Sequence, residues 1–217
     1  MKLCLSIIVA LATIVPFHAQ ALPLSQAEVT KLCSDAEGLA HCGRLVEAEQ
    51  LKRLPGLAVR EGNTLRVSMF PSGNVSFTDV DSLAGGSSFA LWDHFSAINA
   101  TLLFTTKDDD ARFILLQRAT GKQTLLPSEP ALAPDRERLA TADFCEARCE
   151  NRLVLWRISR DGAYREAEWK PAEVWTDAAV RWKDPSTIVV EYTPSGASDA
   201  KTLERTLREP GWTPLGR

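Results

Sequence analysis

The rhythm of apolar and polar positions changes near residue 56. Upstream of it, Val29, Leu32 and Cys33 recur at helical spacing, and Leu45, Val46, Ala48 and Leu51 form a second stripe. These spacings predict one helix that begins after Ser25 or Gln26 and is broken by Gly38, and another over 41–54 stopped by Pro55-Gly56. Downstream the period falls to two. Residues 64–70 and 75–80 alternate around Pro71-Ser72-Gly73-Asn74, and further strands are predicted at 89–92, 100–105, 113–117, 123–126, 139–144 and 188–192. Residues 201–208 carry Leu203 and Leu207 at helical spacing and Thr202, Glu204 and Thr206 at strand spacing, so both states stay open there.

The strongest local signal lies at 153–169. Leu153, Val154, Leu155, Trp156 and Ile158 form an apolar run of strand length, and Ser159-Arg160-Asp161-Gly162 turns it back. With Asp161-Gly162 as the two loop residues, Val154 faces Trp169 and Trp156 faces Ala167. Leu153 and Leu155 make the opposite face apolar too, which predicts a strand covered on both sides by stacked sheets. The expected architecture is therefore mainly β with an N-terminal helical pair. Residues 22–56 form that pair, and 57–217 form an antiparallel β domain of consecutive sheets or hairpins. Bare sheet edges invite association, so the helices are expected to pack through Leu45, Val46 and Leu51 against the β part and keep the protein monomeric.

Composition narrows the setting. Met1-Lys2, an apolar stretch from Leu3 to Phe17 and Ala19-Gln20-Ala21 read as a signal peptide over 1–21, cleaved near Ala21. That predicts a periplasmic or secreted protein without a membrane span. The rest of the chain keeps Cys33, Cys42, Cys145 and Cys149, an even number that favours disulfides over metal ligation in an exported protein. The most local pairing joins Cys33 to Cys42 and Cys145 to Cys149. A net charge of −3 argues against a nucleic-acid or anionic-membrane partner.

Gly73, Gly121 and Gly162 mark hairpin turns 48 and 41 residues apart, a recurrence that propeller blades produce. Arg118-Ala119-Thr120-Gly121-Lys122-Gln123, then Ala133-Pro134-Asp135 and Leu139-Ala140, resembles the blade-to-blade passage of WD-repeat and Tol-type periplasmic β-propellers. Trp182-Lys183-Asp184-Pro185-Ser186-Thr187 before Ile188 is a fainter echo. The resemblance spans residues 64–193 and implies blade-like sheets. With material for about three units, it predicts a propeller-like arrangement that is not a closed ring. The whole chain also resembles exported bacterial proteins, a resemblance that brings no activity with it.

Candidate chemistry is sparse. Trp92-Asp93-His94 joins an aromatic, a carboxylate and a histidine, but a catalytic triad is a matter of geometry, and there is no Gly-x-Ser-x-Gly elbow. In a regular strand Trp92 and His94 share a face and Asp93 points away. Asp79, Asp81 and Asp108-Asp109-Asp110 do not fit a calcium loop, and His41 beside Cys42 lacks the further ligands a zinc site needs. No cofactor or metal is expected. All six tryptophans follow residue 90; Trp156 and Trp169 read as core, and Trp175 as an exposed contact. Trp92, His94 and Trp175 are thus the candidate binding residues. The first expectation for function is a non-enzymatic binding module with an envelope protein or glycan as partner. The alternative is a cell-envelope hydrolase using His94 with a nearby acidic or serine residue.

Overall fold

Ser25 starts the first helix because its hydroxyl accepts the Glu28 N–H at 3.3 Å while the Glu28 carboxylate accepts the Ser25 N–H at 2.7 Å. A hydrogen bond from Arg53 and this reciprocal cap hold Glu28 at about 2, well below the ordinary carboxylate range. The computed structural model describes residues 24–81, 86–108 and 110–216; the expected signal peptide lies outside them. Helix α1 is Gln26–Cys33, α2 is Leu39–Arg53, and Cys33–Cys42 joins them. The second disulfide is Cys145–Cys149. Both pairs are the local ones expected, and two disulfides suit an extracellular or periplasmic setting. No helix among the described residues is long and apolar enough to cross a membrane.

Among the described residues four antiparallel sheets follow, none closed into a barrel. The first contains β1 (Ala58–Glu61), β2 (Thr64–Ser68) and β3 (Asn74–Thr78) in that order. The second runs β4 (Ser87–Phe95), β5 (Ala100–Lys107), β6 (Asp110–Gln117) and β7 (Gln123–Leu126). The third has β8 (Ala131–Leu132), β9 (Arg138–Asp143), β10 (Arg152–Ser159) and β11 (Gly162–Trp169). The fourth has β12 (Trp175–Asp184), β13 (Thr187–Pro194) and β14 (Lys201–Thr206). The chain then returns to the third sheet, where β15 (Thr213–Pro214) pairs with β11. Residues 201–206 are thus strand. Three stretches for which no strand is predicted also belong to strands: 58–61, 131–132 and 175–184.

The sheets stack in chain order, so the two middle ones are buried on both faces. Leu65, Val67 and Phe77 of the first sheet meet Leu91, Leu103 and Leu116 of the second. On the other face of the second sheet, Trp92, Phe104 and Phe113 meet Leu139, Val154 and Trp156. Leu153 and Leu155 point from β10 the other way, toward Trp175, Ile188 and Val190. This is why β5 and β10 read as continuous apolar runs rather than as alternating ones.

The central hairpin corrects the predicted register. Its loop residues are Arg160 and Asp161; Gly162, at φ 116°, opens the return strand. A bulge between Leu155 and Trp156 then shifts the pairing, so that Leu153 faces Trp169, Leu155 faces Ala167 and Trp156 faces Arg165. The Arg165 guanidinium lies 5.4 Å from the Trp156 ring, a cation–π contact in place of the expected large-against-small pair. Ala167 instead packs with Leu155 between the third and fourth sheets. Ala167→Trp should therefore overpack that layer and cost about 1–3 kcal/mol in urea unfolding.

Helix α2 packs on β4 and β5 by only part of the stripe its sequence spells: Val46 lies in the core and Leu51 packs against the first and second sheets. Its buried residues are Gly43, Val46, Glu47 and Gln50, while Leu45 and Leu51 are half-buried and Ala48 is exposed. Gly43 permits the approach, since a Cβ there would lie 2.8 Å from Phe104 Cδ1. Glu47 and Gln50 face the unpaired edge of β4. Glu47 Oε2 accepts the Leu91 N–H at 3.0 Å, and Gln50 Nε2 donates to the Trp92 carbonyl at 2.5 Å. Phe89 completes the cap, donating to Asp79 Oδ1 at 2.9 Å and accepting from Arg60 at 2.5 Å. The helices do cover an edge, and they do it with polar side chains that satisfy strand backbone.

Candidate functional site

A cleft of about 650 Å³ opens where α1, the β7–β8 connection and the fourth sheet come together. Gln26 stands at one end; Ser128, Glu129 and Pro130 form one wall, and Asp177, Ala178, Ala179 and Val180 of β12 the other. Glu191, Tyr192 and Thr193 of β13 extend that second wall. The connection is pinned in place. Ser128 Oγ accepts the Ala142 N–H at 3.1 Å, and the Trp182 indole donates to the Ala131 carbonyl at 2.9 Å, tying the third sheet to the fourth.

Glu129, Asp177 and Glu191 make the cleft acidic, and no Lys, Arg or His is among its described lining residues. Glu129 keeps an exposed side, yet it sits in a concave wall where surrounding protein pushes its carboxyl above the ordinary value. The Trp92 indole, donating to it at 2.9 Å, opposes that shift, and the negative charge of Asp93 adds to it.

Trp92, His94 and Trp175 do not converge. A bulge between Leu91 and Asp93 breaks the regular alternation of β4. Trp92 accordingly packs on Phe104 and Phe113 between the second and third sheets, on the side of the sheet from which Asp93 interacts with Glu129. His94 faces the other way, into a separate hollow of about 280 Å³ with Leu54, Leu57 and Arg118. The expectation that Trp92 and His94 share a face fails because the bulge inserts one residue between them. Asp93 accepts the backbone N–H of His94 at 2.7 Å, and His94 Nδ1 lies 3.0 Å from the Ala100 carbonyl.

Trp175 is a correction as well. It is 2 % exposed, stacked on Tyr192 at 3.9 Å and close to Phe144 and Trp169 at 4.7 and 5.7 Å. Its side chain faces no solvent because β12 begins at Trp175 and lays it against the third sheet. Both tryptophans nonetheless support the cleft from beneath: Trp92 holds Glu129, and Trp175 backs Tyr192. Glu129, Asp177, Glu191 and Tyr192 carry no local motif, and only the packing of the third sheet on the fourth brings them together. Among the described residues no cluster of His, Cys, Asp and Glu fits a metal ion. Asp79, weighed as an oxygen ligand, instead pairs with Arg44 and Arg60.

Comparison with protein-family models, curated proteins and solved structures finds no match to this chain.

Burial, and then the positive charge of Arg118, hold the His94 imidazole below its ordinary value of 6.5. The unfolded chain takes up that proton more readily than the folded one. Stability attributable to His94 is therefore complete above about pH 6.5 and declines as pH falls below it. His94→Gln should flatten the fall in urea midpoint between about pH 7 and about pH 5. An unchanged slope would mean that other groups govern that range.

Proposed function

We propose that this protein is an exported, non-enzymatic binding module that receives a protein or glycan partner in the acidic cleft between its third and fourth sheets. The observation that carries the reading is the cleft itself, a concave site of about 650 Å³ whose walls are fixed by one hydrogen bond from the β7–β8 connection to the third sheet and one between the third and fourth sheets. The proposed resemblance to blades of WD-repeat and Tol-type propellers is in keeping with it, because such scaffolds present loops and edges from stacked sheets. The position of His94 weighs against the hydrolase alternative. The histidine lies outside the cleft, its Nδ1 is engaged with the Ala100 carbonyl, and Asp93 is engaged with the backbone rather than with the imidazole.

Capture from a periplasmic extract on the immobilised protein tests the reading. Wild type and His94→Gln should retain the same discrete partner, and Ala179→Trp, which fills the cleft, should lose it. Retention by the Ala179→Trp variant would sink the proposal. So would hydrolysis of an envelope fraction by wild type that His94→Gln abolishes.

A further inference from the structure

We infer that the open edge of β12 takes up an extended, lysine- or arginine-bearing peptide segment as an added antiparallel or parallel strand. This rests on the binding-module reading and names the partner's chemistry. Several edges in this fold are covered. The edge of β4 is capped by Asp79, Arg60, Glu47 and Gln50, one backbone group after another. The outer edge of β11 is paired by β15, and that of β9 by β8.

β12 is an end strand of the fourth sheet, and its outer edge opens onto the cleft. Ser195 N donates to the Val174 carbonyl and Leu207 N to the Ser186 carbonyl, which fixes the alternation of the β13 ladders on either side. Ala179, paired with Glu191, and Arg181, paired with Val189, therefore bond toward β13, and the N–H and C=O groups of Ala178 and Val180 point away from it. Among the described residues, nothing pairs with those outward groups. Alternate side chains of this stretch, Asp177 with Ala179 and Ala178 with Val180, all line the cleft, so the cleft opens onto the strand edge rather than onto one face of the sheet. Unpaired donors and acceptors in an extended row are the template for strand addition.

Charge chooses the occupant. A peptide lying along 177–180 runs past Asp177 and Glu191, with Glu129 on the opposite wall. A strand carrying Lys or Arg is attracted there, and one carrying Asp or Glu is repelled.

The test uses the full chain and a fluorescein-labelled decapeptide of alternating lysine and threonine, read by anisotropy. Its controls are the same peptide with glutamate for lysine and a version N-methylated at alternate residues, which removes donors without changing charge. The lysine peptide should bind, at least about tenfold more tightly than either control, and should weaken as salt is raised. Ala178→Pro removes an outward N–H while leaving the ladder to β13 intact, a placement edge strands tolerate, and should weaken binding about tenfold. Should that variant fail to fold, the N-methylated peptide reads the same hydrogen bonds from the ligand side. Equal binding of the N-methylated or glutamate peptide overturns the inference, as does no binding of the lysine peptide. A wild-type chain that captures an extract partner in a manner sensitive to Ala179→Trp, yet ignores the lysine peptide, overturns edge pairing and leaves the binding-module reading standing.

Discussion

Glu47→Ala is expected to cost about 3–5 kcal/mol of stability, read as a lower urea midpoint. Glu47 is only 2 % exposed. Arg60 approaches its carboxylate at 2.7 and 2.8 Å, Arg44 at 3.0 Å, and the Leu91 N–H at 3.0 Å. Truncation leaves Arg60, itself largely buried, with Asp79 as its remaining carboxylate at 3.5 Å, and strips Leu91 of its acceptor. A buried guanidinium that loses its close two-point partner and an orphaned backbone donor are the two costs that make such a loss large. Glu47→Gln keeps an acceptor for Leu91 and should lose less. A double-mutant cycle with Arg60→Ala should show coupling of about 1 kcal/mol or more, since the two side chains share one network. Truncation also reopens the β4 edge, so light scattering should detect association at high protein concentration. If Glu47→Ala melts with the parent, α2 is not capping that edge.

Trp175→Ala should be comparably damaging, about 3–5 kcal/mol by the same measurement. The indole fills the layer between the third and fourth sheets, bounded by Phe144, Trp169 and Tyr192. Its removal leaves a cavity that close-packed sheets cannot collapse to fill. Trp175→Phe retains most of the apolar volume and should recover much of the loss. Because Tyr192 rests on this indole and lines the cleft, Trp175→Ala should also weaken partner capture in a variant that still folds. A Trp175→Ala protein as stable as wild type would return Trp175 to the surface, where its sequence context first placed it.

The contrast between these two residues and the hairpin at 153–169 shows where sequence reasoning reached its limit. Turn chemistry located the hairpin, but the register depends on a bulge at Leu155 and Trp156 that no residue type announces. A second bulge in β4 sends Trp92 and His94 to opposite sides of the sheet. One extra residue reverses every side chain beyond it, so errors of register become errors of site.

From local interactions alone the chain declared its class: two helices, then hairpins, with Cys33–Cys42 and Cys145–Cys149 each within a few residues of reach. Helix period, strand alternation, turn glycines and short cysteine spacings are set by neighbours in sequence, so they are legible there. Tertiary structure decided what those elements face. The buried side of α2 is Gly43, Val46, Glu47 and Gln50 because it straddles the end of the second sheet: Gly43 and Val46 meet the apolar surface at Ala90 and Phe104, while Glu47 and Gln50 satisfy the backbone groups of the β4 edge, which leucines would not. The cleft is likewise a product of assembly. Glu129 and Glu191 are remote in sequence and acquire a common environment only when the fourth sheet packs on the third, burying Trp175 between them and leaving β12 with one edge open.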